Sequence, residues 1–179
     1  GNFHAGPQFA ADGTTRLLDS SAEPNDPDGQ PLTFTPEVNA LEPNALRQAG
    51  ARVGKYEYAL GSTPNLNVDF PLFRYADVIL MKAEALMRNG NSGDALTLVN
   101  LIRMRAGVDG FTTLTMDDLL AERGREMFFE GWRRQDLIRF GRYNDAWTFK
   151  PASTPQKNIF PIPESQLNAN PNLTQNPGY

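Results

Sequence analysis

The sequence predicts a mainly α-helical protein, built from antiparallel helix hairpins with long irregular loops and a proline-rich extended C-terminal tail. Three observations carry that prediction. Apolar residues recur at helical spacing along residues 72–106 and again along 115–140. Glycines and capping residues stand where those helices must start and stop. Prolines crowd both flanks, at Pro7, Pro24, Pro27, Pro31, Pro36 and Pro43 on one side and Pro151, Pro155, Pro161, Pro163, Pro171 and Pro177 on the other. Proline breaks long elements, so the flanks read as loops.

The first helix is expected where Leu72, Ala76, Ile79, Ala83 and Leu86 follow one another in steps of four and three, which lays one apolar stripe down one face. Pro71 suits its first position, where a missing N–H costs nothing. Gly90 stands where a left-handed cap is wanted. Ser92 is expected to cap a second helix, with Ala95, Leu98, Val99, Ile102 and Ala106 as its stripe and Gly107 as its end. So short a connection folds the pair back into an antiparallel hairpin. The pair takes about 35 residues, close to the tetratricopeptide unit of about 34. Ala83 and Ala95 stand at the offset where such a unit brings its two helices close.

A second pair follows. Thr115 can cap a helix whose third position is Asp118, and Asp117 also favours the positive end. Leu120, Met127 and Phe128 form one side of it. Gly131 interrupts, and a short further helix over 136–140 is stopped by Gly141. Gly124 costs about 1 kcal/mol against alanine in a helix interior, a cost that a close helix approach would justify. One hairpin buries too little to offset the ordering of its backbone, so the two pairs are expected to stack.

The flanks are less regular. Residues 1–50 read as loop-rich, with an exposed turn cluster, EPNDPDGQP, at 23–31. An EF-hand register with Gly29 in sixth place puts Pro24 first and Thr35 twelfth, where carboxylates are required, so that match fails and only an irregular calcium site stays open. A helical turn is expected at 36–39 or 45–49, a short strand within 53–58 and a loop at 62–67. NIFPIP at 158–163 must be extended, because each residue before a proline is pushed out of the helical region. One helical turn is expected at 164–167, with Phe160, Ile162 and Leu167 pinning the tail to the helices.

Composition bounds the chemistry. The chain has 179 residues, 40% hydrophobic and 21% charged, with a formal net charge of −4. No basic patch dominates, so nucleic acid is not an expected partner. Arg123, Arg125, Arg133, Arg134, Arg139 and Arg142 cluster, but Glu122, Glu126, Glu130 and Asp136 are threaded among them, which reads as an ion-pair network. With no cysteine there is no disulfide, thiolate metal site or cysteine nucleophile. His4, the single histidine, sits in an expected terminal loop and cannot by itself build a catalytic triad or a multi-histidine metal site. No metal or cofactor is therefore expected. No apolar run reaches the ~18 residues of a membrane-spanning helix. The opening GNFHAGPQF has neither the charged nor the apolar region of a signal peptide, so targeting was removed or the chain is a piece of something longer.

Four blocks in order, RYADVILMKAEAL, then ALTLVNLIRMRAGV after a glycine turn, then ERGREMFFEGWRRQDLIRFGR, then FPIPESQLNANPNLTQNPGY, resemble the C-terminal part of SusD/RagB-like proteins, outer-membrane nutrient-binding lipoproteins of polysaccharide utilisation systems. The resemblance covers about residues 52–179, and its most specific signal is the NPNLTQNPGY ending. Residues 1–51 form a loop-rich segment without a matching motif. The resemblance implies tetratricopeptide-like hairpins with long loops, and a glycan ligand held by aromatic stacking and hydrogen bonds rather than cut. It implies a SusC-like TonB-dependent transporter as partner, a cell-surface location at the outer membrane, and a lipid anchor on an N-terminal cysteine. Family members are much longer and carry that cysteine. The chain is therefore expected to be a C-terminal piece ending at its natural terminus, Tyr179, with an apolar helix face left exposed.

The polar residues read in two ways. Arg74 and Asp77, three apart, and Glu84 further along form either a sugar-contacting cluster or buried structural pairs. Glu122, Glu126 and Glu130 are spaced four apart, yet neighbours on one helix point outward side by side and do not flank a glycosidic bond. Arg125, Arg133 and Arg134 lie close enough to neutralise them, so the glutamates with Arg125 and Arg133 are expected as structural ion pairs and no catalytic residue is assigned. Trp132 is expected in the core. Trp147, in NDAWTFKP, is the better platform for a sugar ring, since a flat apolar face matches sugar C–H groups. Phe3, His4 and Phe9 form a second aromatic cluster with the same potential. The alternative to glycan binding is a tetratricopeptide-like scaffold that binds a protein.

Overall fold

A computed structural model describes residues 3–19, 29–41, 45–56, 63 and 69–179. They fall into two compact units, Gly1–Asp69 and Phe70–Tyr179. The first is a ribbon of very short strands. β1 (Phe3–His4) pairs antiparallel with β4 (Arg52–Val53), and β2 (Gly6–Pro7) pairs antiparallel with β3 (Thr33–Phe34). The turn between Phe9 and Arg16 is tied by Asp12, whose carboxylate accepts the N–H groups of Thr14 and Thr15 at 2.9 and 2.8 Å. Hydrogen bonds from the Thr15 hydroxyl and these N–H groups hold the Asp12 carboxyl down at about 2. His4 is thus in a strand rather than a loop, and of the strand expected within 53–58 only Val53 belongs to β4, with 54–56 outside any strand. Neither 36–39 nor 45–49 is helical. Glu57 and Tyr58, most of the 62–67 loop and residues 23–28 of the turn cluster lie outside the described residues.

The second unit is helical. α1 (Tyr75–Arg88) and α2 (Ser92–Arg105) form the expected hairpin, turned by Gly90 at φ 80°. α3 (Met116–Glu126) and the short α4 (Arg133–Arg139) make the second pair, and α5 (Glu164–Ala169) stands in the tail after a 3-10 turn at Pro155–Asn158. The core is Ala76, Leu80 and Ala83 from α1, Ala95, Val99 and Ile102 from α2, with Leu114 and Leu119. Ala83 and Ala95 are completely buried, so the two helices meet where neither carries a bulky side chain.

Several boundaries differ from the sequence reading. α1 starts four residues after Pro71, so Leu72 lies outside the helix and is 73% exposed. The seam is carried instead by Leu80, one position from Ile79, since adjacent residues at helical spacing compete for the same face. Asn91, not Ser92, caps α2, accepting the Asp94 N–H while its amide donates to the Asp94 carboxylate at 2.7 Å. Ala106 is the exposed C-cap rather than part of the stripe. Thr115 and Asp118 form a reciprocal capping box at α3, and Thr115 hydrogen bonds hold the Asp118 carboxyl below its ordinary value. α4 begins three residues earlier than expected, and Gly141 at φ 72° ends it. Gly124 has its reason in Arg133: the guanidinium lies where a Cβ would come within 2.7 Å of Nη1, and it donates to the Leu120 carbonyl at 2.8 Å.

The tail is held by polar groups. Phe160 is 68% exposed and is not the apolar pin expected of it. Gln175 clamps the backbone of Ile162 from both sides, accepting its N–H at 2.8 Å and donating to its carbonyl at 3.0 Å. Asn176 donates to the Phe160 carbonyl at 2.7 Å, and the Tyr179 hydroxyl donates to the Ile159 carbonyl at 3.0 Å. A proline-spaced strand cannot satisfy its own backbone, so these side chains do it instead. The TQNPGY ending is thus a set of partners for the extended segment before it.

Candidate functional site

The charged residues of the helical unit build two seams between helices. In the first, Arg123 of α3 is buried between Asp77 of α1 and Asp136 of α4, at 3.0 and 2.9 Å. The contact with Asp77 is an ion pair without hydrogen-bond alignment. Arg139 continues the chain from Asp136 to Glu84, at 2.8 and 2.9 Å, and Arg88 closes on Glu84 at 2.8 Å. Burial pushes the Glu84 carboxyl up, but the hydrogen bonds of Arg139 and Arg88 outweigh it and leave the group below its ordinary value. The bond from Glu84 raises the Arg139 guanidinium in turn, against the effect of burial.

In the second seam Glu122 accepts from Arg103 at 2.8 Å and from Arg125 at 2.6 Å, while Glu126 is shared by Arg74 and Arg105. Arg74 also donates to Glu130 at 2.7 Å. Burial works to lower the Arg74 guanidinium, and the bonds to Glu130 and Glu126 win and raise it. Arg74 and Asp77 therefore do not pair with each other; each reaches across to α3 or the turn after it. Glu130 lies beyond the end of α3, so the three glutamates do not share one helix face. Arg133 and Arg134, expected to neutralise the glutamates, are bonded to carbonyls rather than to carboxylates. Sequence reasoning counted Arg123 among a cluster and missed that it is the buried centre of a seam.

These groups are committed to one another, which leaves the loops to face a ligand. Trp147 and Lys150 close a tight backbone hairpin with hydrogen bonds of 3.0 and 2.9 Å in the two directions. Inside it Phe149 is held at φ 65°, a left-handed conformation that is strained for a bulky residue. The strain turns both rings outward: Trp147 is 46% and Phe149 50% exposed. Lys150 lies over the Trp147 ring at 4.1 Å and is tethered by the Asp145 carbonyl at 2.8 Å. Next to this hairpin is a cleft of about 540 Å³, whose lining includes Arg134, Tyr143, Lys150, Lys157, Phe160 and Tyr179. Arg134 stacks over Phe160 at 4.3 Å and Tyr143 at 5.1 Å, and donates to the carbonyls of Lys157 and Asn158, both at 3.1 Å.

Trp147 thus stands beside a cleft that the sequence did not reveal. The signal was there: no acidic residue stands between Asp145 and Glu164, although the chain as a whole is acidic. Trp132 is only half buried, its ring 5.4 Å from that of Phe73. The other aromatic candidates lie in the strand-built unit. Phe3 is 52% and Phe9 45% exposed, and Arg16 sits 5.2 Å above the Phe9 ring. The exposed His4 ring lies against Gly54, where an added Cβ would come within 2.3 Å of it. Among the described residues no group of histidine or acidic side chains is arranged to hold a metal, and no helix is long and apolar enough to cross a membrane.

Hairpins joined by ionic seams, with strained loops carrying aromatic rings, define a tetratricopeptide-like helical protein. The particular family follows from comparison with known proteins. The chain belongs to the SusD family, whose profile matches residues 55–151 and 142–179. It is 39% identical over 123 residues to the starch-binding protein SusD of Bacteroides thetaiotaomicron, covering 63% of this chain and 22% of that protein. A SusD-like protein of Formosa agariphila is 32% identical over 142 residues, covering 72% of this chain and 28% of the relative. Among solved structures, surface glycan-binding protein A from Bacteroides thetaiotaomicron in complex with laminarihexaose superposes at a TM-score of 0.53 with 33% identity, over 63% of this chain and 26% of that one. A SusD superfamily protein from Parabacteroides distasonis gives 0.63 with 28% identity, over 82% of this chain and 35% of that one. The chain therefore spans roughly a quarter of the length of the curated relatives it matches.

Proposed function

We propose that this chain is part of a non-catalytic glycan-binding protein at the cell surface, working in an outer-membrane nutrient uptake complex with a SusC-like TonB-dependent transporter. A lipid anchor on an N-terminal cysteine of a longer polypeptide would hold it at the membrane. The observation that carries the reading is the exposed Trp147 on its strained hairpin, beside a cleft floored by Tyr143, Phe160 and Tyr179, in a SusD-family chain. Flat rings on a rigid loop suit the C–H faces of sugars, and strain held in place by a backbone hairpin presents them without an ordering cost at binding. Relatives named for starch and for surface glycans support the ligand class. Among the described residues, the carboxylates of Asp77, Glu84, Glu122, Glu126, Glu130 and Asp136 are engaged by arginines in the seams, which supports a binding role rather than a hydrolytic one. Calorimetric titration with a panel of oligosaccharides tests the reading. Saturable heat with at least one glycan, weakened about tenfold or more by Trp147→Ala, is the expected result, since a hot-spot ring contributes at least 1.4 kcal/mol. No heat with any glycan overturns it.

A second reading, a scaffold for a protein partner, is favoured by one observation. Tyr75, Val78 and Met81 of α1 and Leu101 and Met104 of α2 are exposed apolar side chains on paired helices, with Met104 at 69% and Tyr75 at 78% exposure. Capture of a membrane protein on a pull-down in the absence of any glycan response would favour it.

A further inference from the structure

The ligand of the aromatic cleft can be narrowed by its charge. Resting on the saccharide reading above, we infer that the cleft beside Trp147 takes an anionic saccharide, one whose rings carry carboxylate or sulfate groups. The cleft lining holds Arg134, Lys150 and Lys157 and no aspartate or glutamate side chain. Most other arginines of the same unit are matched: Arg74, Arg103, Arg105, Arg123, Arg139 and Arg142 stand in ion pairs, while Arg133 is bonded to a carbonyl. Asp145, the nearest acid in sequence, is turned to Arg142 at 3.6 Å. The stretch 146–163 carries no acidic residue, and its Lys150 and Lys157 meet Arg134 at the cleft.

The placement of these cations argues the same way. Lys150 is not a free surface lysine. Its ammonium is held by the carbonyls of Asp145 at 2.8 Å and Pro151 at 3.3 Å, above the face of Trp147 and 5.8 Å from the Tyr143 ring. Arg134 spends one nitrogen on two carbonyls and sits 4.3 Å over the Phe160 ring, with no carboxylate among the described residues on the rest of its fork. Lys157 lies 5.7 Å from the Tyr179 ring. A neutral sugar that stacks on the face of Trp147 under Lys150 displaces the ammonium from that ring and gives it only hydroxyl groups in return. An acidic sugar uses the same ring edge and supplies the ammonium with a full countercharge, so the cation–π contact is exchanged for an ion pair and not simply lost. Guanidinium and ammonium groups with no aspartate or glutamate in the lining avoid a competing side-chain ion pair that would have to break first.

The test is titration of the whole chain with oligogalacturonate, with a sulfated galactan oligosaccharide, and with maltohexaose and laminarihexaose as neutral controls, each at low and at about 0.5 M salt. The expected result is that one of the two acidic probes binds about tenfold or more tightly than either neutral one at low salt, and that high salt removes most of the difference. Which acidic probe wins assigns carboxylate or sulfate. Lys150→Gln is expected to lower acidic affinity and flatten its salt dependence, with Lys150→Arg restoring both. Because Lys150 also ties its loop, Lys157→Gln is measured beside it: that ammonium makes no hydrogen bond in the described structure, and the same direction of change is expected. Neutral glucans that bind as tightly as the acidic probes, without salt dependence, overturn the anionic assignment and leave the saccharide reading standing. Silence with every probe, acidic or neutral, overturns the saccharide reading and this inference with it.

Discussion

Arg123 shows what single residues do here. It is one of the largest fully buried side chains and sits between two fully buried aspartates. Two carboxylates and one guanidinium leave a surplus negative charge, which Arg139 meets from the edge through Asp136 and Glu84. The seam is a relay in which each member compensates the burial of the next. Removing one member strands the others, so Asp136→Ala is expected to destabilise the chain by about 3–5 kcal/mol in chemical denaturation. A loss under about 1 kcal/mol would show that the seam is spectator charge of the surface kind. Glu84 gives the same seam a pH signature. Its folded carboxyl lies below the ordinary 4.5, so as pH falls the unfolded chain takes up the proton first. The stabilisation is complete above about 4.5 and is lost as pH drops through the lower folded value. Urea unfolding followed between pH 7 and 3 is expected to show this loss, and Glu84→Gln is expected to remove part of the slope.

At the scale of elements the hairpin rests on smallness as much as on greasiness. Ala83 and Ala95 are both completely buried, and their methyl-sized side chains let α1 and α2 approach. Ala83→Leu must push the helices apart or force strained rotamers, and is expected to cost about 1–3 kcal/mol by thermal or chemical unfolding. Unchanged stability would mean the interface has slack. These elements were legible because their signals are local. A capping box, a left-handed glycine and a stripe of apolar side chains are all read within one or two turns. What was not legible was relational. Leu80 and Ile79 are equally apolar neighbours, and only the partner helix decides which one is sealed. Asn91 and Ser92 are both good caps, and the turn geometry picked the first. The tail was misjudged because an apolar Phe160 looks like an anchor. Its backbone, starved of partners between prolines, is what Gln175, Asn176 and Tyr179 actually hold.

For the whole molecule, the ionic seams and the aromatic cleft divide the polar work. The seams consume the carboxylates between helices, and the loops after α4 keep cations and rings for the outside. Trp147 could be picked from its loop context in the sequence; the cleft beside it could not, because Arg134, Tyr143, Lys150 and Tyr179 come together only when the tail folds back over residues 156–162. Phe3, His4 and Phe9 belong to the other unit, and their rings are exposed on the strand ribbon or packed on its backbone. The two tryptophans make the cleft directly testable. Trp147 is on the exposed hairpin and Trp132 is packed against Phe73, so one emission signal can be assigned by substitution. Titration of the chain with the tightest-binding saccharide, read by tryptophan fluorescence, is expected to shift or quench emission in Trp132→Phe as in the unchanged protein, and to give no response in Trp147→Phe. A response that follows Trp132, or none at all while calorimetry records binding, would place the sugar elsewhere and contradict the cleft as its site.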